Sequence, residues 1–292
     1  IQYNISIRED ELMTERFLFM GGDKRISYAM QAISERYAAD KTGTGGVYLE
    51  PVGRYDRIVL PFPFSRNGTD IFAPLSDKPV PLSAVPLYAA ENAVVFSGGT
   101  NAALESICGE NRLTLVNYAA DEALTLKNAA LTAEAAAAIL IGNTEYSLFG
   151  AEVLITGGGR IAECMARLLK AFGSGVTVCA RNSAQLARAA VIGCKTEPLC
   201  RLGDILPRYD VVINTAPAAL FTKERYSQMK KGAVFTELAT LPQEPFRADA
   251  ESSGVKYIFA AGLPGKFSPK TAGLLIAQTI LSHNAACPPR MT

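Results

Sequence analysis

The sequence predicts an α/β protein with two doubly wound parallel sheets, a smaller one followed by a larger one. Three observations predict it. Short apolar strands alternate with helical stretches from Arg16 to Ala260, the pattern of parallel sheets covered on both faces. A glycine turn, Gly157-Gly158-Gly159, leaves one strand and opens one helix. The chain has 292 residues, enough for two domains with a sizeable core each.

The first half begins with a strand over Arg16–Met20, the turn Gly21-Gly22-Asp23-Lys24-Arg25, and a helix to about Tyr37. A strand at Arg57–Leu60 follows. The proline-rich stretch 61–86 reads as a loop with little regular structure. Val94–Phe96 is a strand leading into Ser97-Gly98-Gly99-Thr100-Asn101 and a helix, and Leu113–Asn117 is a further strand. A long helix is expected over Thr132–Tyr146, with Thr132 as its N-cap and Glu134 in its first turn.

The second half opens with the strand Val153-Leu154-Ile155, the glycine turn, and an amphipathic helix carrying Ile161, Met165, Leu168, Leu169 and Phe172. Val176–Cys179 is the next strand. A helix over Ser183–Ile192 follows, with Ser183 as a candidate N-cap. Strands are expected at Lys195–Leu199, Asp210–Asn214, Ala233–Leu238 and Lys256–Ala260, and helices at Lys223–Lys230 and Glu244–Ser253. A second long helix starts at Ser268-Pro269-Lys270, with proline at its first position, and runs to about His283. Gly273 inside it costs about 1 kcal/mol relative to alanine, which points to close packing. This helix is expected to cross back to the first domain, leaving the active cleft between the domains.

Composition excludes several classes. The net charge is +1 with no basic run, which argues against a nucleic-acid partner. The longest apolar run, Ala135–Ile141, is too short for a membrane span, and the N-terminus lacks the form of a signal peptide. Met13 stands near a natural start, so residues 1–12 read as an extension. The six cysteines form no C-x-x-C pair, which suggests a reducing cytoplasm, and there is one histidine, His283, so no metal site is expected.

The glycine turn carries the chemistry. Gly157, Gly159 and Ala162 form a G-x-G-x-x-A dinucleotide fingerprint. The first glycine makes the tight turn, the second lets a pyrophosphate approach, and alanine keeps helix and sheet close. The helix N-terminus then offers unpaired N–H groups and a partial positive charge. After the next strand, an NAD site places a carboxylate; here stand Ala180, Arg181, Asn182 and Ser183. A guanidinium and a hydroxyl suit a 2′-phosphate, so the cofactor is read as NADP(H). Ligands sit at the carboxyl ends of strands in such sheets. Cofactor contacts are therefore expected from Thr156, Gly157, Gly158, Gly159, Arg160, Ile161, Arg181, Asn182, Ser183, Thr215, Ala216, Pro217, Leu238, Gly262, Leu263 and Pro264. The architecture expected is a Rossmann cofactor domain over 128–268 and a smaller flavodoxin-like α/β domain over 1–127. Two long helices join them, and the C-terminal segment 269–292 packs back on the first domain.

Several segments together carry a more specific resemblance: GGDKR at 21–25, SGGTN at 97–101, N-x-x-L-T-x-E at Asn128–Glu134, GGGRIAECMAR at 157–167, CARNSAQLAR at 179–188, INTAP at 213–217 and GLPGKFSPKTAG at 262–273. Across Arg16 to about Leu281 the chain resembles the family of dipicolinate synthase A subunits. That resemblance implies an NADP-linked dehydrogenase of sporulating bacteria. It would oxidise dihydrodipicolinate, or its hydroxy-tetrahydro precursor, to the aromatic diacid. It also implies a homo-oligomer in the cytoplasm and, as partner, the flavoprotein-like B subunit of the same synthase. The chain departs from the family pattern in three places. Glu237 to Glu244 stands where D-L-A-S-x-P-G-G is usual, Ala135 stands where glycine is usual, and Ala261 replaces a proline.

A dicarboxylate substrate needs cations, hydroxyls or helix N-termini. Lys266, Ser268, Lys270 and Thr271 flank the turn into the last helix, Thr100 and Asn101 begin a helix in the first domain, and Arg66 lies in the proline-rich loop. Lys270, Thr271, Thr100 and Asn101 are the candidate substrate ligands. Each lysine can equally be a solvated charge, and Thr100 and Asn101 can serve only as helix caps. Glu237 reads as a structural carboxylate and His283 as a helix-end cation. Two other functions stay open: a 2-hydroxyacid-type dehydrogenase using NADP, which needs a histidine–carboxylate pair that His283 is misplaced to supply, and a non-catalytic NADP-binding regulatory or assembly subunit.

Overall fold

A computed structural model describes residues 13–51, 55–239 and 246–286. In chain order the elements are β1 Met13–Met20, α1 Lys24–Ile33, β2 Tyr37–Thr42, β3 Tyr55–Val59, α2 Val85–Tyr88, β4 Ala89–Ser97, α3 Ala102–Glu110, β5 Thr114–Asn117 and α4 Glu122–Ile141. Then come β6 Glu152–Thr156, α5 Arg160–Ala171, β7 Gly175–Ala180, α6 Ser183–Val191, β8 Lys195–Pro198, α7 Leu202–Ile205 and β9 Val211–Asn214. The chain closes with α8 Lys223–Ser227, β10 Val234–Glu237, α9 Phe246–Ser252, β11 Lys256–Phe259, α10 Leu263–Phe267 and α11 Pro269–Ala286. The chain divides into two compact units, one of 1–124 with 269–292, the other of 125–268.

The first unit holds a five-stranded parallel sheet, order β2-β1-β3-β4-β5, the flavodoxin-like winding. Alternation along β1 sends Phe17 and Phe19 to one core and Leu18 and Met20 to the other. The first of these cores is closed by α1 (Ile26, Ala29, Ile33) and α11 (Ile276, Ala277, Ile280). The two helices meet at Gly273. A Cβ there would collide with the Arg25 carbonyl and lie 2.7 Å from Tyr28 Cβ. A buried cluster clamps α11 from its far end. Arg57 on β3 ion-pairs with Glu15 and hydrogen-bonds Asn284, which donates to Glu15 Oε2 at 2.9 Å.

The second unit holds a six-stranded parallel sheet, order β11-β10-β9-β6-β7-β8. This is the 3-2-1-4-5-6 winding of a Rossmann domain, whose order reverses between β6 and β9. Val153 and Ile155 of β6 face one core with Ala162, Met165 and Leu169 of α5, while Leu154 faces the other with Phe235 and Tyr257.

Several boundaries differ from expectation; β1 starts at Met13, α4 ends at Ile141 rather than Tyr146, and α8 ends at Ser227. The first helix stops at Ile33, because the Ser34 hydroxyl donates to the Met30 carbonyl at 2.6 Å and the chain turns into β2. β2 is an edge strand with half-exposed Asp40 and Lys41, so it lacks an apolar run. β4 starts at Ala89 rather than Val94. The long helix α4 starts at Glu122, ten residues before Thr132. Asp121 accepts from Leu124 N at 2.8 Å, the N-cap bond. Thr132 lies mid-helix with its hydroxyl turned back to the Asn128 carbonyl, 2.8 Å away. Among the described residues α4 is also the one helix long and apolar enough to cross a membrane. Its Ala133, Ala136 and Leu140 are buried in the core of the second unit, as a core helix requires.

Candidate functional site

The glycine turn sits at the carboxyl end of β6, beside the switch point. Gly157 has φ +98°, a conformation closed to other residues, and its N–H donates to Cys179 O of β7 at 2.9 Å. A Cβ on it would stand 2.6 Å from Thr215 Oγ1. Gly159 is the N-cap of α5 and gives it no side-chain cap. Nothing lies within 4 Å of where its Cβ would be. The first turn of α5 therefore meets open space with the donors and dipole end that bind an anion. Glu163 in that turn is drawn to Arg167 at 2.9 Å. A pocket of about 240 Å³ opens here, lined by Gly159, Arg160 and Ile161, by Thr215, and by Thr125, Asn128 and Ala129 of α4.

Behind Thr215 runs a buried polar chain. Thr156 Oγ1 donates to Asn214 Oδ1 (2.7 Å), and Asn214 Nδ2 donates to both Glu237 oxygens (3.0 and 2.9 Å) and to the Ala216 carbonyl (3.2 Å). Ala216 N returns to Asn214 Oδ1, and the Thr215 hydroxyl donates to the Thr156 carbonyl at 2.9 Å. The turn Thr215-Ala216-Pro217 is thus fixed over the strand ends. Burial pushes the Glu237 carboxyl up to about 7, against the pull of its bonds from Asn214 and Ala239 N.

The expected cofactor residues divide by exposure. Arg181, Asn182 and Ser183 are exposed where β7 gives way to α6. Asn182, not Ser183, is the N-cap of α6: its side chain accepts from Ala184 N at 2.8 Å, and Ser183 is the first helical residue. Asparagine competes well for that role and precedes serine by one position. Gly262 is exposed with φ +68° at the start of α10. Thr156, Leu238, Leu263 and Pro264 are buried, so their side chains serve the core and the polar chain. Thr240–Glu244 of the altered segment lie outside the described residues.

The expected substrate ligands all fall in the first unit. Lys270 and Thr271 are exposed in the first turn of α11 and Thr100 is exposed before α3. Asn101 caps α3 through Leu104 N (2.9 Å) and donates to the Gly68 carbonyl (2.9 Å), tying down the proline-rich loop. Arg66 stacks on Phe72 with its guanidinium 4.3 Å from the ring centre. Lys266 is exposed in α10. His283 Nε2 stands 3.7 Å from the Asp121 carboxylate, at the end of α11. The sequence does not point to Asn128 and Thr125 as site residues. With the helix expected to begin at Thr132, both fell in a connecting segment.

Comparison with known proteins follows the same division. The family model described as D-isomer specific 2-hydroxyacid dehydrogenase, NAD binding domain, matches residues 134–240. The model for the N-terminal domain of the dipicolinate synthase A subunit matches residues 48–119. The A subunit of dipicolinate synthase from Bacillus subtilis (strain 168) is 30% identical over 275 residues, which are 89% of this chain and 93% of that protein. Among solved structures, the dipicolinate synthase A subunit from Bacillus halodurans matches with TM-score 0.83 at 28% identity, over 96% of this chain and 100% of that one. The A chain of the Bacillus subtilis synthase gives TM-score 0.80 at 28% identity, over 94% and 96%. The second unit is thus a nicotinamide-dinucleotide-binding dehydrogenase domain.

Proposed function

Since the chain belongs to the family of dipicolinate synthase A subunits, we propose that it is an NADP-dependent oxidoreductase converting dihydrodipicolinate, or its hydroxy-tetrahydro precursor, to dipicolinate during sporulation. One observation carries the cofactor half of this reading. The open first turn of α5 lies one strand away from Arg181, with no carboxylate between Ala180 and Ser183.

The fit of the site supports it. Gly157 can have no side chain and Gly159 leaves its approach clear, the two conditions for a diphosphate over the turn. Backbone donors of α5 hold the diphosphate, and Arg181 with Ser183 holds the 2′-phosphate. The dinucleotide, when bound, supplies the acceptor for the hydride that the dihydro ring loses; the ring's proton leaves to solvent or a base, the hydroxy-tetrahydro precursor first sheds its hydroxyl as water, and aromatisation drives these losses. The Thr156–Asn214–Glu237 chain braces the 215–217 turn, which supports a fixed position for Thr215 at the edge of the site. Lys270, Thr271 and Thr100 hold the two substrate carboxylates, while Asn101, also a candidate from the sequence, is engaged by its cap and loop bonds. The synthase's B subunit is the partner this reading expects, with a homo-oligomer in the cytoplasm as the working state.

The test is direct. Purified protein, NADP⁺ and freshly generated dihydrodipicolinate should give dipicolinate and NADPH in equal amounts. No turnover, with or without the B subunit, overturns the enzymatic reading; tight NADPH binding in that case identifies a regulatory role. Faster reduction of NAD⁺ than of NADP⁺ overturns the assignment of Arg181.

A further inference from the structure

Gly158 is the middle glycine of the turn, and its backbone does not explain it. It is absent from the positive-φ glycines that include Gly157. Space explains it. A Cβ at 158 would lie 2.5 Å from Gln185 Cβ, 2.9 Å from Gln185 Oε1 and 3.0 Å from its Cδ. Gln185 is the third residue of α6, with its N–H on the Asn182 carbonyl at 3.1 Å. Its half-buried side chain packs against Gly158, and the two share a groove with Ala162, Glu163 and Val178. Among the described residues its carboxamide makes no hydrogen bond, although it sits against backbone. Arg181 and Ser183 stand four and two residues before it.

We propose that Gln185 is a specificity-determining residue of the dinucleotide site, reading the substituent on the adenosine ribose alongside Arg181. The proposal rests on the reading of this turn as the dinucleotide site. The chemistry follows from the inventory of an amide. Its NH₂ donates to a phosphate oxygen and its carbonyl accepts from a ribose hydroxyl, so it serves either cofactor without charge. Arg181 then supplies the bias toward the phosphorylated one. Gln185→Glu turns the amide into an acceptor with a negative charge, which repels a 2′-phosphate and accepts a 2′-hydroxyl. Gln185→Lys does the reverse.

The experiment is calorimetric titration of the full chain with NADPH and with NADH, for the natural protein and both variants, alongside thermal melts of the free proteins. Melts should stay together, because the side chain is half exposed. Gln185→Glu should raise the NADPH-to-NADH dissociation-constant ratio by about tenfold or more, and Gln185→Lys should lower it by about threefold or more. Ratios unmoved in both variants, or both cofactors weakened equally, overturn the proposal and leave Gln185 a packing residue. A natural protein that prefers NADH ends the NADP reading above, while opposite shifts in the two variants still uphold Gln185. A natural protein that binds neither cofactor ends both.

Discussion

Arg181 stands exposed at the end of β7, two residues past the strand residue whose carbonyl accepts from Gly157 N. Its guanidinium has no ion pair among the described residues, so a phosphate would gain its full fork of donors. Arg181→Ala is expected to weaken NADPH binding by roughly 1.5–3 kcal/mol, the range for a hydrogen bond to a charged group, and to leave NADH nearly unchanged in the same titration. Glu237 makes a different prediction. The folded protein keeps its proton up to about pH 7, while the unfolded chain releases it near the usual glutamate value. The stability that this protonated carboxyl contributes is therefore complete at acid pH and is lost as pH rises to about 7. Urea titrations between pH 4.5 and 8 should show the natural protein losing about 1–3 kcal/mol more than Glu237→Gln across that window; parallel curves would contradict the buried, protonated state. At this scale the sequence is legible where a residue has one possible use. The glycines of the turn are such residues, since the positive φ of Gly157 admits little else. It is illegible where use depends on a neighbour brought by the fold. Gln185 reads as a surface helix residue until it is found lying on Gly158. Asn101 reads as substrate ligand or cap, and the structure shows cap and loop tether.

Helix α4 shows how an element is misjudged. Its N-terminal turns carry Glu122, Thr125, Lys127 and Asn128, so apolar content rises only from Leu131 onward. The true start is marked by one capping bond at Asp121. Asp121→Ala is expected to cost about 1 kcal/mol in chemical denaturation, and Thr132→Val should cost less because its hydroxyl only turns back on its own helix. Edge strand β2 was hidden for a related reason: one of its neighbours is solvent, and half-exposed positions carry Asp40 and Lys41. Central strands such as β6, buried from Val153 on, and β9, buried throughout, are correspondingly plain in the sequence. The α1–α11 crossing offers the sharpest test at this scale. Gly273→Ala gains helix propensity but drives a methyl into the Arg25 carbonyl and Tyr28. A net loss of about 1–3 kcal/mol is expected from overpacking, read as a lowered urea midpoint; a gain would mean that the two helices are not in contact as described.

The two units differ in how the chain builds them. The second, 125–268, is continuous, and both of its cores are filled from within that span. The first is interrupted: α11 supplies Ile276, Ala277 and Ile280 to a core that otherwise belongs to residues before 125. A fragment of residues 125–268 is expected to melt cooperatively and bind NADPH, whereas residues 1–124 alone should show a broad, non-cooperative transition by circular dichroism. Winding order was legible here because strand–helix alternation admits few topologies once crossovers are right-handed.

The interruption also sets an order of events during synthesis. A ribosome releases the strands of the first sheet early, yet the helix that roofs one face of it is encoded only after the whole of the second unit. Domains generally fold as units while the chain emerges. The dinucleotide half can therefore fold while the core of Phe17, Phe19 and Ile33 still lacks its share from Ile276, Ala277 and Ile280, a nascent stage at which chaperone contact and aggregation compete.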